Sequence, residues 1–208
     1  MNHHYRNPPA GRKQIAKAQI HKHMGRALAG VAMSIWDVCE EVPAGKVNGI
    51  VSPKTMKTNL PTAEEIKWVK MFDEGRAKEI PLSGMEIKTL TGPNSRVRRL
   101  MNGPETIDIL VSNISIGESV AFSGMPCEPF VDIGRDVKAR SPFRLTVVAC
   151  LTNGSEGYIP STKAHHEGGY ESVSSRFSES TGDRLVDAQI AQLKQLKAAA
   201  AGTEEGQR

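Results

Sequence analysis

A chain of 208 residues can hold one domain with a sizeable core or two small ones. Its apolar share of 38%, its charged share of 24% and its net charge of +4 are those of an ordinary globular chain, which excludes a low-complexity or strongly basic one. Lys and Arg are scattered apart from Arg96, Arg98 and Arg99, so the chain carries no basic stripe and is not expected to bind nucleic acid. Three cysteines, Cys39, Cys127 and Cys150, are too few and too widely spaced for a disulfide framework or a CxxC metal site. No transmembrane segment is expected, because no stretch approaches the roughly 18 apolar residues needed to cross a bilayer. Met1-Asn-His-His-Tyr-Arg lacks the apolar centre of a signal peptide.

In chain order, Ala10 to Val42 reads as a helix, with Ile15, Ala18, Met24, Leu28, Val31 and Ile35 at helical spacing and Pro43-Ala-Gly as its stop. His21 and His23 do not share a metal on such a helix, because residues two apart point about 200° away from each other. His3-His4 and His165-His166 are adjacent pairs with the same difficulty in regular structure. The stretch from Val47 to Met56 alternates and is β-branched enough for a strand. Thr62-Ala-Glu-Glu65 is a capping-box pattern that opens a helix running to about Glu74, with Gly75 as its stop. Arg76 to Pro104 is broken by Gly84, Gly92-Pro93 and Gly103-Pro104, and reads as an insertion over an active site.

Thr106 to Ile114 and Ser119 to Phe122 read as two strands of a hairpin around Ile116-Gly117-Glu118. Val131 to Arg140 reads as a helix. Phe143 to Leu151 is a nearly continuous apolar run, as in a strand buried on both faces. Asp183 to Ala200 is a last helix with Val186, Ile190, Leu193 and Leu196 as its stripe, followed by a disordered tail at 202–208. The expected fold is mixed α+β, a sheet core with flanking helices.

The residues that carry chemistry lie between Phe122 and Tyr170. Glu128 follows a short strand and opens a helix, where a carboxylate is exposed at the mouth of the sheet and favoured by the helix terminus. It is either a site residue or simply an anion that suits a first turn. Tyr158 and Tyr170 are read as loop residues that pack a rim or touch a site. Cys127 at the same turn is a possible nucleophile, given a basic partner such as His165 or His166.

Pro126-Cys127-Glu128, Asn153-Gly-Ser-Glu-Gly-Tyr158-Ile-Pro-Ser-Thr and the following His166-Glu-Gly-Gly-Tyr170-Glu171 resemble the neutral/alkaline non-lysosomal ceramidases. These are zinc amidohydrolases that cleave the amide of N-acylsphingosines. The family has a Pro-Gly-Glu turn, so Cys127 stands where glycine is usual. The family's Asn-x-x-x-x-Tyr segment and its second tyrosine also keep the spacing that separates Tyr158 from Tyr170.

The resemblance implies that Glu128 and Tyr158 are zinc ligands and that Tyr170 is a catalytic residue holding the reacting amide. It implies zinc as the cofactor and a lipid-like N-acyl amide as the substrate. In the family, the histidine ligands and the catalytic serine belong to the first half of the catalytic domain. The opening Asn2-His3 and Gly25-Arg26-Ala27-Leu28-Ala29 look like the tail of that half's catalytic loop and its helix. On this reading residues 1–201 are a partial catalytic domain, the missing N-terminal half is its partner, and the isolated chain is inactive. An export signal would lie on the missing part. The final helix, with no immunoglobulin-like domain after it, points to the shorter single-domain members. The alternative is a non-catalytic α/β binding or scaffold domain that keeps the fold without the chemistry.

Overall fold

The computed structural model describes residues 19–42 and 45–201. His3, His4, the first residues of the expected N-terminal helix and the expected tail at 202–208 lie outside them. The chain divides into two compact units, Met1–Val42 and Pro43–Arg208.

In the first unit a helix, α1, spans Ile20–Trp36 and carries both His21 and His23 in exposed positions. It stops short of the expected Val42. Asp37, Glu40 and Glu41 follow its last turn, and carboxylates are unfavourable beside the negative end of a helix. Met24, Leu28, Val31 and Ile35 form the expected stripe, and all four are exposed.

The second unit is built on a four-stranded mixed sheet. Its strands are β1 (Val47–Lys57), β2 (Thr106–Ile116), β3 (Val120–Gly124) and β5 (Leu145–Ala149), side by side in that order. β1 and β2 pair antiparallel over their whole length, from Val47 opposite Ile116 to Lys57 opposite Thr106. Pro53 is tolerated inside β1 because β1 is an edge strand, where a missing N–H need not break a ladder bond. β2 and β3 form the expected hairpin, turning at Gly117, whose φ of 55° suits glycine. β3 and β5 are parallel, so the chain must cross over between them, and helix α5 (Val131–Arg140) makes that crossing.

One face of this sheet is covered. The last helix, α8 (Thr181–Ala201), lies across β1 and β2 and packs on α5. Between sheet and helices sit Ile109, Val111, Phe143, Leu185, Leu193 and Leu196, all within the main buried cluster. A polar network runs through the same layer. Asn113 Nδ2 donates to Gln189 Oε1 at 2.6 Å and to Gln192 Oε1 at 2.8 Å, while Gln189 Nε2 donates to the Gly124 carbonyl at 2.8 Å. Buried amides linked this way tie α8 to one position on the sheet, because each amide displaced from its partner would be left unsatisfied.

Two expectations are corrected here. β5 is not buried on both faces. It is the other edge strand, with helices on one side, so Leu145 and Val147 face outward and are exposed. The glycines and prolines read as breaks between Arg76 and Pro104 do not interrupt it throughout: the stretch holds helices α3 (Gly84–Thr91) and α4 (Arg96–Leu100). Ser83 and Glu86 close a second capping box, with Glu86 N–H on Ser83 Oγ at 3.3 Å and Ser83 N–H on Glu86 Oε2 at 2.9 Å. It is the same Ser/Thr-x-x-Glu signal that opens α2 (Ala63–Asp73) at Thr62. A small cluster of Val69, Leu90 and Val97, joined by Val173, packs these three helices against the segment that carries Tyr170.

Candidate functional site

Beyond β3 the chain does not leave the sheet freely. The Met125 N–H donates to the Ala149 carbonyl at 2.9 Å, and the loop after β5 returns hydrogen bonds along the same segment. Leu151 N–H reaches the Cys127 carbonyl at 3.0 Å, Thr152 N–H the Met125 carbonyl at 2.9 Å, and Glu156 N–H the Pro126 carbonyl at 2.7 Å. Leu151 and Asn153 take φ values of 53° and 60° to make this tight return, a conformation that asparagine tolerates better than leucine.

The return ends in a second, two-stranded parallel sheet, β4 (Glu128–Pro129) with β6 (Tyr158–Ile159). Glu128 is paired with Tyr158. Paired residues in parallel strands project to the same face, so carboxylate and phenol stand side by side. Glu128 is therefore a strand residue at the mouth of the main sheet; the helix begins later, at Val131, with Phe130 at its N-cap position.

Tyr170 arrives from another direction. After helix α6 (Thr162–Glu167), Gly168 and Gly169 turn the chain with φ values of 77° and 105°, and α7 (Tyr170–Ser174) follows. The Tyr170 ring stands edge-on to Tyr158, with centroids 5.9 Å apart and planes at 77°. The two tyrosines are thus not loop residues, since one sits on a strand and the other opens a helix. α7 is fastened on several sides. Ser172 Oγ donates to the Ala164 carbonyl at 2.8 Å, Ser175 Oγ to the Tyr158 carbonyl at 2.9 Å, and Arg176 pairs with Glu156.

The structure brings Glu128, Tyr158 and Tyr170 into one cluster. The hydrogen bond from the Tyr158 hydroxyl to the Glu128 carboxylate holds the phenol above its ordinary range, and the charge of Glu128 adds to this. The sign follows from the two states. A folded value raised above the unfolded one, about 10, adds stability below that pH, and the stability is lost as pH rises through the folded value. In a near-ultraviolet titration, Tyr158 is expected to ionise at higher pH in the native chain than in Glu128→Ala. Superimposable curves would show that the carboxylate does not hold the phenol.

Cys127 is not available as a nucleophile. It is fully buried, and burial, helped by neighbouring negative charge, pushes its thiol up to about 12. His166, on α6, lies 3.6 Å from Glu179, and burial lowers the pKa of His165. Among the described residues, no three His, Cys, Asp or Glu side chains stand close enough together to hold a metal ion.

Sequence reasoning missed two features around the cluster. A groove of about 550 Å³ between α3 and α7 is lined by Met85, Thr89, Pro93, Ser95, Tyr170 and Ser174. Its far wall is the helix signalled by the second capping box. The other feature is Arg96, which the sequence sets apart with Arg98 and Arg99 from its otherwise scattered basic residues without showing its partners. It is 5% exposed, paired with Glu65, and donates to the carbonyls of Asn59 at 2.8 Å and Val173 at 3.2 Å.

No family model and no curated protein sequence matches the chain. A solved structure does: the neutral ceramidase from Pseudomonas aeruginosa, 18% identical, superimposes with a TM-score of 0.55 over 91% of this chain. This chain has a ceramidase-like fold. It spans 35% of the length of that ceramidase. A further match, a ceramidase complexed with C2, is 21% identical over 42% of this chain and 14% of its own, with a TM-score of 0.37 too low to bear on the fold. Within the ceramidase-like fold, Glu128, Tyr158 and Tyr170 sit where the β3 and β5 ends, the return loop and α7 meet. No described helix of this chain is long and apolar enough to cross a membrane.

Proposed function

We propose that this chain supplies one part of the active site of a zinc-dependent amide hydrolase of the ceramidase kind, acting on a lipid-like N-acyl amide such as an N-acylsphingosine. The observation that supports this reading is the parallel pairing of Glu128 with Tyr158, with Tyr170 against the Tyr158 ring. A carboxylate and a phenol are oxygen donors suited to a divalent cation, and a cation bound there would take the place of the phenol proton. Two donors fall short of the three protein ligands usual in a catalytic zinc site. The remaining donors, histidines by the resemblance, and the catalytic serine belong to a portion of the fold outside this chain. Bound zinc would supply Lewis acidity at the amide carbonyl.

The chain's own residues then have separate tasks. Glu128 and Tyr158 hold the ion. Tyr170 is half exposed at the rim of the groove and presents its hydroxyl as a donor to the amide oxygen as charge develops there. Met85 lines the same groove and offers apolar surface to the aliphatic arm of the substrate. Alone, the chain is expected to bind zinc weakly and to hydrolyse nothing.

A zinc titration of the full chain, followed by tyrosinate absorbance and by proton release, tests this reading. Zinc is expected to raise the absorbance and release about one proton per ion bound. The signal should vanish in Tyr158→Phe and weaken in Glu128→Gln. If the native chain responds no differently from the two variants, the metal reading falls. The chain would then stand as a binding or scaffold domain that keeps the fold.

A further inference from the structure

The four-stranded sheet has two apolar faces, and helices cover one of them. Outward positions on β2 read Thr106, Asp108, Leu110, Ser112, Ile114 and Ile116, opposite to the buried Ile109 and Val111. The register lines up the outward side chains of neighbouring strands. Ile114 lies opposite Phe122 and Phe122 opposite Val147, so one row of large apolar groups crosses three strands. These three are 47%, 39% and 37% exposed. Val47, Val51, Leu110 and Leu145 extend the patch and are also exposed. A sheet face meant for water carries polar residues throughout that side, whereas here they are confined to Ser112 and the corner of Thr55, Lys57, Thr106 and Asp108. Contiguous apolar surface rimmed by polar groups marks an interaction site.

The patch also borders the cluster described above. At the row where Ser112 faces Gly124, the side chain of Thr152 closes over the outward side, and Asn153 Nδ2 donates to Ser112 Oγ at 3.4 Å. Thr152 and Asn153 belong to the return loop that delivers Tyr158 to Glu128. Whatever covers the face therefore abuts the loop that builds the cluster.

We propose that this face packs against the rest of a ceramidase-like fold, carried on polypeptide outside these 208 residues, which lays a second apolar layer on β1, β2, β3 and β5. Two observations favour that occupant. Nearly all of this chain superimposes on the neutral ceramidase from Pseudomonas aeruginosa, yet 35% of that ceramidase is matched, so most of a comparable fold lies outside it. The outward strand positions carry one cation and one anion, Lys57 and Asp108, at a corner away from the apolar row, and not the cationic ring that anionic lipid would attract. Apolar sheet faces pack on one another at about 10 Å, as in a sandwich. The interface rests on the fold likeness and not on zinc chemistry, so either reading can fail alone.

The test co-expresses the tagged full chain with the polypeptide translated from the coding DNA that flanks it. Co-purification is expected, with retention at least tenfold lower for the double variant Ile114→Lys, Phe122→Lys. That variant substitutes outward positions, and circular dichroism should show it folded. A second variant, Lys57→Glu at the polar corner, should retain the partner. Four results would overturn the proposal: no flanking coding region able to supply the fold, no retention by the native chain, retention unchanged in the double variant, or a stable homodimer of the chain alone that the double variant dissociates. Binding of the native chain to neutral phosphatidylcholine vesicles in place of the polypeptide would also overturn it, in favour of a lipid surface.

Discussion

Arg96→Ala is expected to lower the unfolding free energy by about 3 kcal/mol, the low end of the range for breaking a buried ion pair. The guanidinium is nearly inaccessible and joins three elements: Glu65 on α2, the Asn59 carbonyl before that helix, and the Val173 carbonyl on α7. Its removal leaves two carbonyls without a donor and a carboxylate without its counter-charge. Glu65 is 16% exposed at the side chain, so water partly compensates, which is why the upper end of the range is not expected. Glu65→Gln keeps an acceptor for Arg96 and a side chain able to close the capping box with Thr62, and should cost about 1 kcal/mol. Urea unfolding of the native chain and both variants measures the two losses. Equal losses would mean that the charge of the pair dominates over the carbonyl contacts. A loss under about 1 kcal/mol for Arg96→Ala would mean that water replaces the guanidinium.

Phe177→Ala is the second large effect, expected at about 3–5 kcal/mol. Phe177 is fully buried in the main cluster and is bridged to Thr58 at the end of β1. Its backbone N–H donates to Ser175 Oγ at 3.3 Å, the hydroxyl that also holds the Tyr158 carbonyl. The cavity left by alanine therefore opens beside the support of the tyrosine pair. Phe177→Leu retains most of the volume and should cost about 1 kcal/mol. Thermal unfolding separates the two, and near-ultraviolet circular dichroism should show the Tyr158–Tyr170 contact weakened in alanine and retained in leucine. Similar melting curves for both variants would show that the site collapses around the missing ring.

Much of this fold was legible wherever one local signal ruled. The capping box at Thr62, the helix at Val131–Arg140, the hairpin of β2 and β3 and the stripe of α8 each follow from a short pattern that tertiary packing does not contradict. What failed were judgements about neighbours. An apolar run such as Phe143 to Leu151 announces a strand, but whether it has helices on one side or both depends on strand order, which is not a local property. Arg96 shows the same limit, for its partners lie 31, 37 and 77 positions away. The α3 helix was overlooked for another reason: Gly84 and Gly92-Pro93 were read as breakers, although Gly84 is its first residue and Gly92 its cap. The nearness of Glu128, Tyr158 and Tyr170 was suggested by resemblance and not by spacing. Their meeting rests on a two-residue sheet and a T-shaped ring contact that no periodicity announces.

The brevity of that two-residue sheet has an evolutionary side. Long strands tolerate small length changes in their loops, because many rungs resist a slip. β4 and β6 have two rungs between them, and what lies opposite Glu128 is set by how many residues the return loop contains. One residue more or fewer between Ala149 and Tyr158, taken up as a slip, would present Gly157 or Ile159 in the tyrosine's place. The main sheet and its helices would hardly register the change. In a lineage of such chains, insertions and deletions in that loop would part Glu128 from Tyr158 while leaving the fold intact, so loop length is a sharper marker of a retained pair than overall resemblance.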